Sequence, residues 1–199
     1  LLKKYFGFDE FRPLQEKIIN AVMNNEDVFV LMPTGGGKSL CYQLPALKFD
    51  GLTLVVSPLI ALMKDQVDML QKNGITAEYI NSSIHQDEIA RIQYEARAGK
   101  IKLLYIAPER LAARSFQLAL QTLSVSLIAI DEAHCISEWG HDFRPDYRNL
   151  GMLRQSFPKA PIIALTATAT PRVQEDIVAH LSLRFPKKFT ASFDRENLI

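Results

Sequence analysis

Val28-Phe29-Val30-Leu31-Met32-Pro33-Thr34-Gly35-Gly36-Gly37-Lys38-Ser39, continuing into Leu40-Cys41-Tyr42-Gln43-Leu44, is the stretch from which the fold can be read. An apolar, β-branched run reads as a buried strand, a glycine-rich turn follows, and a helix-like segment closes the unit. Three consecutive glycines let backbone N–H groups turn inward around phosphate oxygens, and the dipole of the following helix favours negative charge there. In such a loop Thr34, Gly35, Gly36 and Gly37 cradle the phosphates. Lys38 reaches the β and γ phosphates, and Ser39 is a candidate Mg²⁺ ligand. One departure stands out: the usual pattern opens on glycine, and Met32 occupies that place.

Outward from this unit, similar runs recur at Leu52 to Ser57, Ala77 to Asn81, Lys102 to Ala107, Ser126 to Asp131 and Pro161 to Thr166. Several are apolar at nearly every position, which suits central parallel strands covered on both faces. Helical patterns lie between them. The spacing therefore predicts an α/β three-layer sandwich around a mainly parallel sheet. Ser57-Pro58 and Thr170-Pro171 each place a hydroxyl before a proline, predicting two helix starts of the form N-cap then first helical position. In such a sheet ligands gather at the carboxyl ends of the strands, so the residues just after each strand are the candidates for chemistry.

The bulk composition limits the alternatives. With 199 residues, 48% hydrophobic and 23% charged, the chain suits one globular domain, and a net charge of +1 assigns any nucleic-acid contact to local groups rather than to a basic surface. Cys41 and Cys135 lack the paired spacing of a zinc site or a disulfide scaffold, which points to reduced thiols and an intracellular setting. No apolar run approaches the ~20 residues of a membrane span and no signal peptide opens the chain, so no membrane partner is expected. The start at Leu1 and the end at Ile199 suggest a piece of a longer protein.

The second chemical landmark follows the run Leu127-Ile128-Ala129-Ile130 as Asp131-Glu132-Ala133-His134. Two carboxylates at the end of a buried strand need a partner, and Mg²⁺ supplies one. Asp131 is set to hold the ion and Glu132 to orient and deprotonate an attacking water. His134 is the candidate sensor of the γ-phosphate side.

A longer series of matches resembles the RecQ family of DNA helicases. The acidic box is similar to that of DExH helicases, and helicases of superfamily two often relax the first glycine of the phosphate loop. Phe8-Asp9-Glu10-Phe11-Arg12-Pro13-Leu14-Gln15 resembles the adenine-recognising segment of that family. The resemblance implies that Gln15 reads the adenine edge while Phe8 and Arg12 stack on the base; Phe11 is equally suited to the core. Ser57-Pro58-Leu59-Ile60-Ala61-Leu62-Met63-Lys64-Asp65-Gln66 resembles a DNA-side motif in which Ser57 grips a phosphate. Ala107-Pro108-Glu109-Arg110-Leu111 resembles the next such motif, with Arg110 pairing either with Glu109 or with a phosphate. The run from His134 through Trp139, Phe143, Arg144 and Tyr147 closely resembles the aromatic-rich loop of these enzymes. Trp139, Phe143 and Arg144 are its candidate DNA contacts, although Trp139 also suits packing beneath the loop. Thr166-Ala167-Thr168-Ala169-Thr170 resembles the segment coupling hydrolysis to DNA movement, or else simply ends a strand and caps a helix.

The resemblance implies a RecA-like P-loop fold, with residues 1–192 as the first motor lobe and residues 193–199 as the start of a linker to a second RecA-like lobe. Within that linker Glu196 stands where the family more often has proline. It implies an enzyme that uses ATP and Mg²⁺ to move 3′ to 5′ on single-stranded and forked DNA, in DNA replication, recombination and repair. An ATP-driven DNA-binding switch without unwinding and an RNA helicase lobe remain the alternatives.

Overall fold

The computed structural model describes residues 1–191. In chain order the regular elements are α1 (Gln15–Met23), β1 (Val28–Leu31), α2 (Leu40–Ala46), β2 (Leu52–Val56), α3 (Ile60–Lys72), β3 (Ala77–Ile80), α4 (Gln86–Arg97), β4 (Leu103–Ile106), α5 (Arg114–Leu120), β5 (Val125–Ile130), α6 (Gly151–Ser156), β6 (Ile162–Thr166), α7 (Pro171–His180) and β7 (Lys187–Thr190). Short 3₁₀ turns at Pro108–Ala112, Ala133–Ile136 and Pro145–Leu150 connect them.

The strands form one seven-stranded sheet in the order β3-β4-β2-β5-β6-β1-β7, and every described strand pair is parallel. The reason lies in the side-chain alternation along fully buried strands. Val28 and Val30 of β1, Val55 of β2 and Leu127 and Ala129 of β5 face a core shared with α1, α2 and α3. Phe29 and Leu31, Leu54 and Val56, and Ile128 and Ile130 face a second core shared with α4, α5, α6 and α7. Each of these side chains contributes about 1.5–3 kcal/mol by leaving water, which outweighs the modest strand propensities. The result is a three-layer α/β sandwich.

Register then places the chemistry. Leu31 lies level with Thr166, and Ile130 with Ala164, so β1 and β5 deliver their carboxyl ends to the same sheet edge with β6 between them. The phosphate loop follows β1, and the Asp131-Glu132 pair follows β5.

The structure departs from the sequence reading at two places. The strand runs are right to within about a residue at each end, but β7 was not among them. Its Lys-Lys-Phe-Thr sequence is mostly exposed; it pairs with β1 at the sheet edge, and of its side chains Phe189 packs against the core. The helix start at Ser57-Pro58 does not form: Ser57 N–H donates to the Ile106 carbonyl as a continuation of the sheet, and α3 begins at Ile60 with Leu59 as its N-cap. At Thr170-Pro171 the cap is present, the Thr170 hydroxyl accepting from Val173 N–H. The expected junction Phe193 to Leu198 lies outside the described residues.

Candidate nucleotide pocket and the loop beside it

The phosphate loop folds as a compact turn. Gly36 N–H donates to the Pro33 carbonyl at 3.0 Å, and the Lys38 ammonium donates to the carbonyls of Met32 at 3.1 Å and Pro33 at 3.3 Å. Gly35 and Gly37 adopt φ of 79° and 82°, which disfavours any side chain. A Cβ on Gly37 would also stand 2.3 Å from Gln15 Nε2. Closeness here is the purpose of the glycine.

Residues distant in sequence complete the walls. Phe8, Arg12, Gln15, Thr34, Gly35, Gly37, Lys38, Ser39, Asp131 and Glu132 line one cavity of about 380 Å³. Lys38, Ser39, Asp131 and Glu132 thus share one space, with the Phe8–Gln15 segment as its second wall. Arg12 donates to the Gly35 carbonyl, and Gln15 donates to the Gly37 carbonyl at 3.1 Å while its Oε1 accepts from Arg12 N–H at 2.8 Å. A primary amide has two N–H groups and two lone pairs, so Gln15 keeps one donor and one acceptor for a ligand. Phe11 is half-buried and packs on the small cluster of Ile19, Leu40 and Leu44, the core alternative of the sequence reading. Gly36 stays outside the lining and shapes the turn.

The two carboxyl groups are driven apart in acidity. Burial and the neighbouring Glu132 charge push Asp131 up to about 6, whereas the His134 hydrogen bond holds Glu132 below the usual carboxylate range. Thr166 Oγ1 donates to the Thr168 carbonyl, so it accepts from His134 Nδ1 at 2.8 Å. That assignment puts a proton on Nδ1, which also lies 3.2 Å from Glu132 Oε2. His134 is buried behind the cavity rather than in its wall. Glu132 has φ 48° and ψ 45°, a left-handed backbone costing about 1–3 kcal/mol for a residue with a side chain. Neighbouring structure must hold it there.

Mg²⁺ fits this donor set. Asp131 is a buried carboxylate that, among the described residues, meets no cation at salt-bridge distance, and Ser39 Oγ offers a second hard oxygen in the same cavity.

Beyond the acidic pair the chain runs into the aromatic loop. The buried Tyr147 hydroxyl donates to the Asp131 carbonyl at 3.0 Å, Ser137 Oγ donates to Asp176 of α7 at 2.6 Å, and Arg144 reaches the Pro58 carbonyl at 3.3 Å and Asp142 at 3.1 Å. Trp139 is 57% exposed, so it does not pack beneath the loop; the Arg172 guanidinium lies 3.4 Å from its ring centroid. Phe143 is half-buried, with the Arg148 guanidinium 5.2 Å away. The His134 and His141 rings stack at 4.3 Å.

Two candidate contacts are placed differently from expectation. Ser57 is buried, and its backbone N–H is bonded within the sheet. Arg110 does not pair with Glu109: its Nε and Nη2 both donate to the Asn81 carbonyl. Glu10, Leu40, Leu62 and Gln66 also line the cavity and were not singled out. Gln66 closes the segment read as DNA-side, so its helical spacing from Leu62 was the available signal. Arg172 carried none: its pairing with Trp139 is purely tertiary.

Fold and site together define a P-loop nucleotide-binding lobe. The DEAD/DEAH box helicase family profile matches residues 12–177, and the chain belongs to that family. Within it the chain closely resembles the RecQ helicases, including their N-terminal RecA-like lobe. It is 56% identical over 198 residues to the ATP-dependent DNA helicase RecQ of Haemophilus influenzae, covering all of this chain and 32% of that protein. It is 52% identical over 200 residues to that of Bacillus subtilis, covering all of this chain and 34% of that protein. The chain therefore spans about a third of the length of these relatives. The helicase MrfA bound to DNA and AMPPNP shares the fold, with a TM-score of 0.73 over 96% of this chain and 28% of that one, at 18% identity.

Proposed function

We propose that this chain is the ATP-binding lobe of an ATP-dependent DNA helicase that couples hydrolysis to 3′ to 5′ translocation on single-stranded DNA and to duplex unwinding. One observation carries the reading: Lys38, Ser39, Asp131 and Glu132 line a single cavity, and Tyr147 hangs the aromatic loop from the Asp131 backbone. The polarity rests on the RecQ resemblance.

The chain's own groups divide the work. Phe8, Arg12 and Gln15 hold the base, while the backbone of residues 34–37 and Lys38 hold the phosphates. Ser39 and Asp131 would hold Mg²⁺, which would supply charge neutralisation for the triphosphate. Glu132, kept ionised by His134, accepts the proton of the attacking water. Trp139, Phe143 and Arg144 are the DNA-facing groups; base stacking tolerates any sequence, as translocation requires. Single-stranded and forked DNA are the substrates, and a second RecA-like lobe beyond residue 192 supplies the opposing surface. An arginine from such a surface contributes about 10³–10⁵ in rate in P-loop enzymes, so the 199-residue chain alone should hydrolyse ATP poorly and unwind nothing. The buried, unpaired Cys41 and Cys135 support an intracellular setting.

Replacing Glu132 by Gln in the full-length protein tests the reading. DNA-stimulated hydrolysis should fall by about 10²–10³-fold with ATP binding retained. Undiminished hydrolysis would leave the switch alternative standing, and stronger stimulation by RNA than by single-stranded DNA of equal length would move the substrate to RNA.

A further inference from the structure

Gln66 lies in the middle of α3, one turn beyond Leu62, and both side chains reach the nucleotide cavity. Its Oε1 is surrounded by donors: Tyr105 OH at 2.8 Å, Tyr42 OH at 2.9 Å and Gln43 Nε2 at 3.2 Å. Burial holds both phenols protonated, so each has a hydrogen to give. Rotating the Gln66 amide by half a turn would set its own N–H₂ against that of Gln43, which the neighbours forbid. The remaining direction of the amide is therefore settled by buried groups on α2 and β4. Its Nε2 points at Ser39 Oγ, 3.4 Å away.

We propose that Gln66 is a positioning residue that turns the Ser39 hydroxyl toward the metal, its amide occupying one Ser39 lone pair so that the other faces Asp131 across the cavity. The inference rests on the nucleotide reading given above. A serine hydroxyl otherwise distributes over three staggered positions. Selecting one of them and adding a modest hydrogen bond is worth about three- to tenfold in affinity for the cation. Tyr42, Gln43 and Tyr105 act one step further out by holding the amide. Gln66 itself touches neither water nor phosphate in this role, and its effect passes through Ser39.

The test is a Mg²⁺ titration of fluorescent ATP-analogue binding to the full-length protein, with thermal melting of each variant as a check on folding. In Gln66→Leu the Mg²⁺ midpoint should rise about three- to tenfold, with Mg²⁺-free nucleotide affinity changed less than about twofold and excess Mg²⁺ restoring the wild-type plateau. In a Ser39→Ala background the same substitution should add nothing further. An unshifted midpoint, or an equal increment with Ser39 already removed, overturns the assignment. If Gln66→Leu does not fold, Tyr105→Phe removes only one hydroxyl that orients the amide. A shift of about twofold in the same direction then supports the role, and none overturns it. Binding of the nucleotide by Lys38→Ala as tightly as by wild type would fall on the nucleotide site itself, a failure separate from that of Gln66.

Discussion

The phosphate loop and the aromatic loop lie on the same edge of the sheet, but they are held by different means. The first is closed largely by its own residues, Gly36 N–H on the Pro33 carbonyl and Lys38 on the carbonyls of Met32 and Pro33, with Arg12 and Gln15 of one neighbouring segment on the Gly35 and Gly37 carbonyls. The second is tied to distant elements, through Ser137 to Asp176 on α7, Arg144 to Pro58 before α3, and Tyr147 to the end of β5. A loop closed largely by local bonds depends little on elements far from it. One suspended from three separate elements is displaced when any of them shifts, as the proposed coupling of nucleotide to DNA requires. Trp139 of this second loop is exposed, with the Arg172 guanidinium over its ring.

The largest effect should come from the locally closed loop. Lys38→Ala removes the only ammonium within the turn and should lower hydrolysis by the full-length protein by about 10²–10³-fold, measured as DNA-stimulated phosphate release. A variant retaining more than a tenth of the activity would mean that the backbone alone governs phosphate binding. On the suspended loop, Trp139→Ala should weaken single-stranded DNA binding by about 1–3 kcal/mol, roughly 5- to 150-fold, while leaving ATP affinity alone. Fluorescence polarisation with labelled oligonucleotides measures this, and a loss of ATP affinity instead would join the two loops into one unit.

The acidic pair between the loops gives a pH signature. Asp131 titrates near 6 when folded and near 3.8 when unfolded, so the folded state favours its protonated form. That contribution is fully present below pH 4 and is lost as pH rises through 6, a difference of about 2–3 kcal/mol. In Mg²⁺-free urea denaturation, Asp131→Asn should therefore match wild type near pH 4 and exceed it by about that amount above pH 7. Parallel pH profiles for the two proteins would mean that burial does not penalise this carboxylate. The smallest effect belongs to Arg172→Ala, since a cation–π contact at an exposed ring is worth about 0.5–1 kcal/mol. Trp139 is the chain's single tryptophan, so its fluorescence anisotropy reads the contact directly and should fall when Arg172 is shortened. Unchanged anisotropy would show that the backbone of the loop, not Arg172, holds the ring.

Legibility in the sequence followed the same division. The strand, turn and helix around Lys38 could be read because neighbouring residues make that structure themselves. Thr170-Pro171 was legible for the same reason, whereas Ser57-Pro58 carried the same signal and failed because β4 claimed its N–H. The strand β7 is not legible because three of its four side chains are exposed and Phe189 alone reaches the core, which leaves no apolar pattern to read. The contacts of Arg110 and Gln66 are not legible because their partners, Asn81 and Ser39, are 29 and 27 positions away.

By itself, then, the sequence determined the layered parallel sheet, the phosphate turn and the identity of the acids after β5, since apolar runs and glycine conformations act over a few residues. The tertiary structure alone decided how those acids divide their ionisation, which amide faces Ser39 and what covers Trp139. Burial, charge and hydrogen-bond geometry at these points are set by groups that only folding brings within a few ångströms of one another.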